Sequence, residues 1–535
     1  MRMSDRVLVQ TRALALLSVP LLCAGTPAQA QTSPAPDQPG ASSTFHEQVI
    51  AEITPGSEMK FSVVGRSHLA WIEKRDGKET VRLDGVQQGG IFEDVKYLDF
   101  SSHEAHLAFF GKRDSAWIFV LDGQEHSQRY KKFTSIAFQP KGNSYAYCAC
   151  VDKKCRLTVD GAEAGSEYDD VSYPQYSRDG KRLAFFVKRQ KKWIAVVDGK
   201  EFGPEVDDFW SSAWGFNRGS SRFYEAAWIK GSRWLYVVDG TAGPGFDVIS
   251  YLSFTDDGKH YAYGGTVAKS GFKKQKTYGS VVLDGQASGS YEGSGLGGAW
   301  TALAGETEYM TGGVRDLTPD FHGISTPQFS PEGKLIYAAR RDKGDVAVFV
   351  GSEAGPGFDE ILSPVVFSGD SAHFAYVARQ GDEFIPVRDN HRGAGFTPSK
   401  HGATGVGWIA FGGNAEHLAF ETISGGNAFK SGGTTRALRA VVLDGARGKE
   451  YDAFSLRNFG FNSAGHYCYI VRGASGNRDL VNVDAQESRL YDDVVDTRFS
   501  DDGTSVVFVA HDGARFLRVS FDLGSSQPVV ASLLK

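Results

Sequence analysis

Residues 168–199 read YDDVSYPQYSRDGKRLAFFVKRQKKWIAVVDG, and their punctuation predicts a single structural unit. A first strand (VSYPQYS) leads through RDG into a second (KRLAFFV); a charged tip (KRQKK) leads into a third (WIAVV), and Asp198-Gly199 opens a short fourth. Asp-Gly suits that last turn because both central residues of the commonest two-residue hairpin need positive φ. Asp-Gly pairs closing an apolar run recur at 84, 122, 160, 198, 239, 284 and 444, the first four 38 residues apart, with diverged equivalents at Gly351, Asp389, Asp484 and Asp522. A period near 40 with no amphipathic helix in it predicts four-stranded blades repeated around an axis, an arrangement that protects sheet edges.

The strings FSPEGK (329–334), YSRDGK (176–181), FTDDGK (254–259) and FSDDGT (499–504) resemble the FSPDGK signature of TolB-like, WD-like β-propeller repeats. The resemblance extends over most of residues 45–535 and implies an all-β fold of tandem β-propellers. It implies little about function, because such blades serve as scaffolds in many settings. Two departures stand out. No α/β domain of the kind that precedes the TolB propeller fits in residues 31–60, and the last strand pattern runs nearly to Lys535.

Eleven units are clear, and a degenerate twelfth is expected at roughly 291–320, in the long gap between Asp284 and Gly351. Twelve blades exceed the usual ring of 4–8. Two six-bladed rings, 45–290 and 291–535, are the simplest reading; a seven-plus-five split and one large ring are the alternatives. The segment FHEQVIAEI (45–53) precedes the first complete unit and is expected to supply an outer strand that closes a ring.

The N-terminus carries basic residues Arg2, Arg6 and Arg12, an apolar run from Ala13 to Ala24 and small residues ending at Ala30, the layout of a secretory signal peptide cleaved after Ala30. Residues 31–44, rich in Pro, Ser and Ala, read as a disordered linker. No later segment is apolar enough to be a transmembrane span. These features place the mature protein in the periplasm or among secreted proteins. In such a compartment Cys150 and Cys155, flanking a hairpin tip, are positioned for a disulfide.

A formal net charge of −6 over 535 residues gives no reason to expect a nucleic-acid partner. No GxSxG, HExxH or phosphate-binding glycine loop occurs, and neither a metal site nor a cofactor is implied. His68, His106, His260, His373, His417 and His466 share one register before the second strand, which puts one on each of several blades rather than around a common ion. The reading is a binding or assembly module of the cell envelope with a protein or envelope glycan as partner. The alternative is an enzyme, a hydrolase or lyase, using carboxylate pairs such as Asp169-Asp170, Asp207-Asp208 and Asp492-Asp493 in a propeller channel.

Candidate ligand-binding residues come from two deviations. The tips joining second to third strands in the first six units hold 18 Lys or Arg against five acids. A basic rim of Lys188, Arg189, Lys191, Lys192, Lys273, Lys274 and Lys276 would gather an anionic partner, unless the acids that start the next strands neutralise it locally. The unit at 206–239 holds Trp210, Trp214, Trp228 and Trp234; packing between blades accounts for most of them, and Trp210 is the candidate for an exposed platform.

Overall fold

The computed structural model describes residues 45–292 and 327–524, apart from positions 66, 232, 270–275, 342–343, 371, 398–402, 413–414, 425–436 and 474–477. Among the described residues every regular element is a β-strand, and the strands form antiparallel β-propeller blades. Ten hydrogen-bonded sheets are present. One of them, of eight strands, joins two repeat units through the shared strand Tyr451–Phe461, so eleven units are described. In chain order they begin at Glu58, Asp94, Lys132, Asp170, Asp208, Val248, Gln328, Glu360, Ala403, Tyr451 and Asp493, and are called sheets 1–11. The segments expected to form the signal peptide, the linker and the twelfth unit lie outside the described residues.

The repeated sequence marks have local physical causes. Asp198 (φ 53°) and Gly199 (φ 77°) both take the left-handed conformation the tight hairpin requires, as do Asp84-Gly85, Asp122-Gly123 and Asp444-Gly445; Asp389-Asn390 and Asp484-Ala485 do the same without glycine. The turn aspartate also reaches across its own sheet. Asp84 Oδ1 accepts from the Leu69 amide at 2.9 Å while Oδ2 lies 2.6 Å from His68 Nδ1. His106–Asp122, His260–Asp284, His373–Asp389, His417–Asp444 and His466–Asp484 repeat that pair at 2.6–2.8 Å. Ser144 and Arg182 take the histidine's place opposite Asp160 and Asp198. Each histidine is therefore engaged within its own blade.

The FS-x-DG string is a turn of the same local kind. Ser177 Oγ donates to Asp179 Oδ1 at 2.7 Å and accepts from the Arg182 amide at 3.0 Å, and Thr255–Asp257, Ser368–Asp370 and Ser500–Asp502 repeat the bond. Such side-chain bonds hold the backbone in a turn between two strands.

Packing runs from sheet to sheet. Phe92 of sheet 1 meets Phe109 of sheet 2 edge-on at 5.7 Å, and Phe186 of sheet 4 stacks on Phe209 of sheet 5 at 4.0 Å. Val281 of sheet 6 is buried together with Ala339 of sheet 7. Sheet 11 has only three strands of its own, and its fourth is the N-terminal segment Phe45–Glu52, paired antiparallel with Arg515–Asp522 from Phe45↔Phe521 to Glu52↔Arg515. Phe45 packs 4.7 Å from Phe521, Arg489 Nε donates to Glu47 Oε1 at 2.6 Å, and Trp71 of sheet 1 lies 5.3 Å from Phe516 of sheet 11. The two ends of the described chain thus share one sheet, as the spare strand at 45–53 implied.

Candidate functional site

The tips between second and third strands carry the basic residues singled out by sequence, and the structure sorts them by partner. Arg189 donates to both oxygens of Glu201 at 2.9 and 3.1 Å, and Lys192 donates to Asp207 Oδ1 at 2.6 Å. The same neutralisation occurs elsewhere on this edge: Lys132 pairs with Asp170 at 2.5 Å, Lys154 with Asp169 at 3.0 Å and Lys60 with Asp94 at 2.8 Å. The Lys154 ammonium holds the Asp169 carboxyl below its ordinary range, and that of Lys192 does so for Asp207. Four of these pairs join consecutive units, from Lys60, Lys132, Lys154 and Lys192 to the acids that open the next unit. They are exposed and individually worth little.

Two lysines of the rim are placed differently. Lys191 sits in the tip turn at φ 72°, exposed, with no ion-pair partner among the described residues. The Lys188 ammonium lies 4.9 Å from the centre of the Trp193 indole, which meets Phe209 edge-on at 5.2 Å. Trp193 and Lys188 are cross-strand partners. Lys112 and Trp117 occupy the equivalent pair in sheet 2, where Lys112 and Lys96 stand 5.9 and 5.3 Å from the indole centre and Phe133 packs on it at 4.8 Å. Cations over indole rings gain roughly 0.5–1 kcal/mol at exposed sites; Lys96 also lies 4.0 Å from Asp94 Oδ2, whereas Lys112 and Lys188 form no ion pair with a described residue. Beside this site Tyr97 holds φ 56° with 39% of its surface exposed, a conformation uncommon for a bulky side chain.

The remaining candidates are dispersed. Trp210 is half-buried, with its ring 5.0 Å from Tyr251 of sheet 6. Lys273 and Lys274 lie outside the described residues, and Lys276 is placed as a strand residue opposite Lys269 with no description of its side chain. Cys150 and Cys155 face each other across a hairpin and are joined as a disulfide, while Cys148 and Cys468 are buried thiols. Asp170 lies close enough to the two disulfide sulfurs to form a three-residue group, but sulfur bonded to sulfur offers a metal no thiolate.

The carboxylate pairs are occupied as well. Asp170 Oδ1 accepts from the Val171 amide at 2.9 Å, and Asp208 Oδ1 from the Phe209 amide at 2.9 Å. Asp493 belongs to a group with Arg457, Arg472 and the wholly buried Asp479, whose Oδ2 accepts from Arg457 at 2.6 Å. Burial pushes the Asp493 carboxyl upward, and Arg457 opposes it.

Sequence reasoning missed Glu225. It is 1% exposed at a strand position that is aromatic in the other ten units, Phe109, Tyr147 and Phe185 among them. Its Oε2 is buried without a hydrogen-bond partner, and burial pushes its carboxyl up to about 8. Aligning the repeats against one another exposes this substitution; reading any one repeat does not.

No family model matches the chain, and no curated protein matches it. Solved structures that match include TolB from Acinetobacter baumannii, at 13% identity over 46% of this chain and 64% of that one with a TM-score of 0.23. The Dos1 propeller matches at 11% identity over 73% and 92%, with a TM-score of 0.30. The β-propeller domain of the Trilobed protease from Pyrococcus furiosus matches at 11% over 59% and 96%, with a TM-score of 0.25. Each is a protein to which this chain is similar at low identity, and the β-propeller assignment stands on the blades described above.

Proposed function

We propose that this chain is an exported β-propeller binding module of the cell envelope, built from TolB-like repeats, that engages an anionic protein or glycan through the tip edge of its first sheets. The observation that carries this reading is the repeated lysine-on-indole site, Lys96 and Lys112 at Trp117 and Lys188 at Trp193. Lys191 stands next to the second site with its charge uncommitted. On this reading the rim is narrower than the full set of basic tips, because Arg189 and Lys192 spend their charge on Glu201 and Asp207. Export rests on the pattern of residues 1–30 and is checked by the mass of the mature chain, which should begin at Gln31.

We also propose that the eleven described units close one ring, the alternative to a division near residue 290. Support comes from packing: sheet 6 meets sheet 7, and sheet 11 meets sheet 1.

The binding reading is tested with an immobilised acidic polysaccharide and with envelope extract. Retention should fall steeply between low and moderate salt, as expected for screened exposed charges. The double variant Lys188→Glu, Lys191→Glu should bind about tenfold or more weakly with an unchanged unfolding transition. Equal retention of variant and parent on both matrices would remove the rim from consideration.

A further inference from the structure

The junction between sheet 11 and sheet 1 departs from the others at two positions that meet in space. The first-strand residue paired with the start of the second strand is aromatic in ten units, Phe100, Tyr176 and Phe499 among them. In sheet 1 it is Val64, followed by Gly65. Three residues further along the second strand, the third-strand partner is apolar in ten units, Val81, Phe119 and Val481 among them. In sheet 11 it is Arg518, in a cross-strand row with Val509 and Asp496.

Both departures line one cleft of ≈ 210 Å³ between the two sheets. Its apolar wall includes Ile50, Val64 and Val507; its polar wall holds Asp496, Arg498 and Arg518. Arg518 forms no ion pair with any described residue, and Asp84 at the rim of the cleft is already engaged by His68. Arg518 is exposed at the mouth of the cleft, and its fork of donors matches a carboxylate. Burial raises the Asp496 carboxyl above its ordinary range, and Arg498 opposes the rise. The volume is that of roughly seven water molecules, too small for most drug-sized ligands.

We propose that this cleft binds a small carboxylate with a short apolar tail, its carboxylate on Arg518 and its tail against Ile50, Val64 and Val507. The site is independent of the lysine rim and on the opposite edge of the blades, beside the Asp-Gly turns.

Butyrate is the probe, with butyramide as the uncharged molecule of the same shape, in chloride-poor buffer on the full chain. Butyrate should raise the unfolding temperature saturably and give a calorimetric binding isotherm, and butyramide should do neither. Arg518→Leu should weaken butyrate at least about tenfold, the scale of a charge-assisted bond. Val64→Phe should abolish binding by filling the cleft. Both variants restore what ten other units carry, so both should fold. No saturable response to butyrate, equal binding of butyramide, or undiminished binding in both folded variants would each overturn the proposal.

Discussion

The junction between sheets 1 and 2 and the junction between sheets 11 and 1 use the same register positions, yet one is filled and the other is not. Between sheets 1 and 2, Ile72, Val81, Phe92, Leu107, Phe109 and Val120 are buried together, and Lys60 ties Glu79 to Asp94 along the edge. Between sheets 11 and 1, a smaller cluster of Ile53, Leu69, Trp71 and Phe516 is buried, with Ile50, Ala51, Met59 and Val64 packed against it, and the cleft opens beside them. Packing holds the first junction. The second depends more on backbone pairing, because one of its sheets is completed by a strand from the other end of the chain.

Removing that strand should break the comparison most severely. A chain beginning at Ile53 loses Phe45 from the side of Phe521 and Glu47 from Arg489. Deleting one large buried side chain alone costs about 3–5 kcal/mol, so the truncated chain should unfold many degrees earlier by calorimetry and expose a free sheet edge that favours association. An unchanged transition and a monodisperse monomer would mean that packing alone holds the seam.

A second test concerns the junction of sheets 4 and 5, where Glu225 interrupts a buried face. Its folded pKa of about 8 lies above the ordinary 4.5, so the folded chain holds a proton there that the unfolded chain releases. The stability linked to this group is present below pH 4.5 and is lost as pH rises through 8. At about 1.4 kcal/mol per pKa unit, the parent should lose several kcal/mol between pH 5 and pH 9. Glu225→Gln should match it at the acid end and exceed it at pH 9 in denaturant titrations. Identical slopes would show that the carboxylate finds solvent or a counter-charge.

The smallest effect belongs to the disulfide. Cys150 and Cys155 close a very short loop within a sheet that is already paired, so Cys150→Ser with Cys155→Ser should cost no more than about 2 kcal/mol. A larger loss would make this hairpin a support for the neighbouring blades.

What the sequence made legible was whatever a short segment must do by itself. Asp198-Gly199 demands a left-handed turn wherever it falls, and Ser177 with Asp179 closes its own loop, so the strands and turns of the eleven described units could be read from spacing. His68 was legible as a blade residue for the same reason, since its partner Asp84 belongs to the same repeat. The rim was only half legible: Lys192 and Lys188 look alike in KRQKKW, and only the fold shows that one meets Asp207 and the other Trp193. Arg518 and Val64 are ordinary residues in their own segments. Their meaning comes from being neighbours across a junction made by residues more than 440 positions apart.

That separation has a consequence for biogenesis. Phe45–Glu52 leaves the ribosome among the first described residues, but its partner, Arg515–Asp522, is among the last. If the described units close one ring, as proposed above, no order of synthesis lets it shut early. While blades accumulate, the leading strand stays an unsatisfied edge, and the closing step must confine a loop of nearly the whole polypeptide. The entropy of that step grows only with the logarithm of loop length, and blades already stacked shorten the distance to be searched. Closure is then the final event of folding, and a nascent chain halted before residue 515 should display its first strand to any edge-binding chaperone.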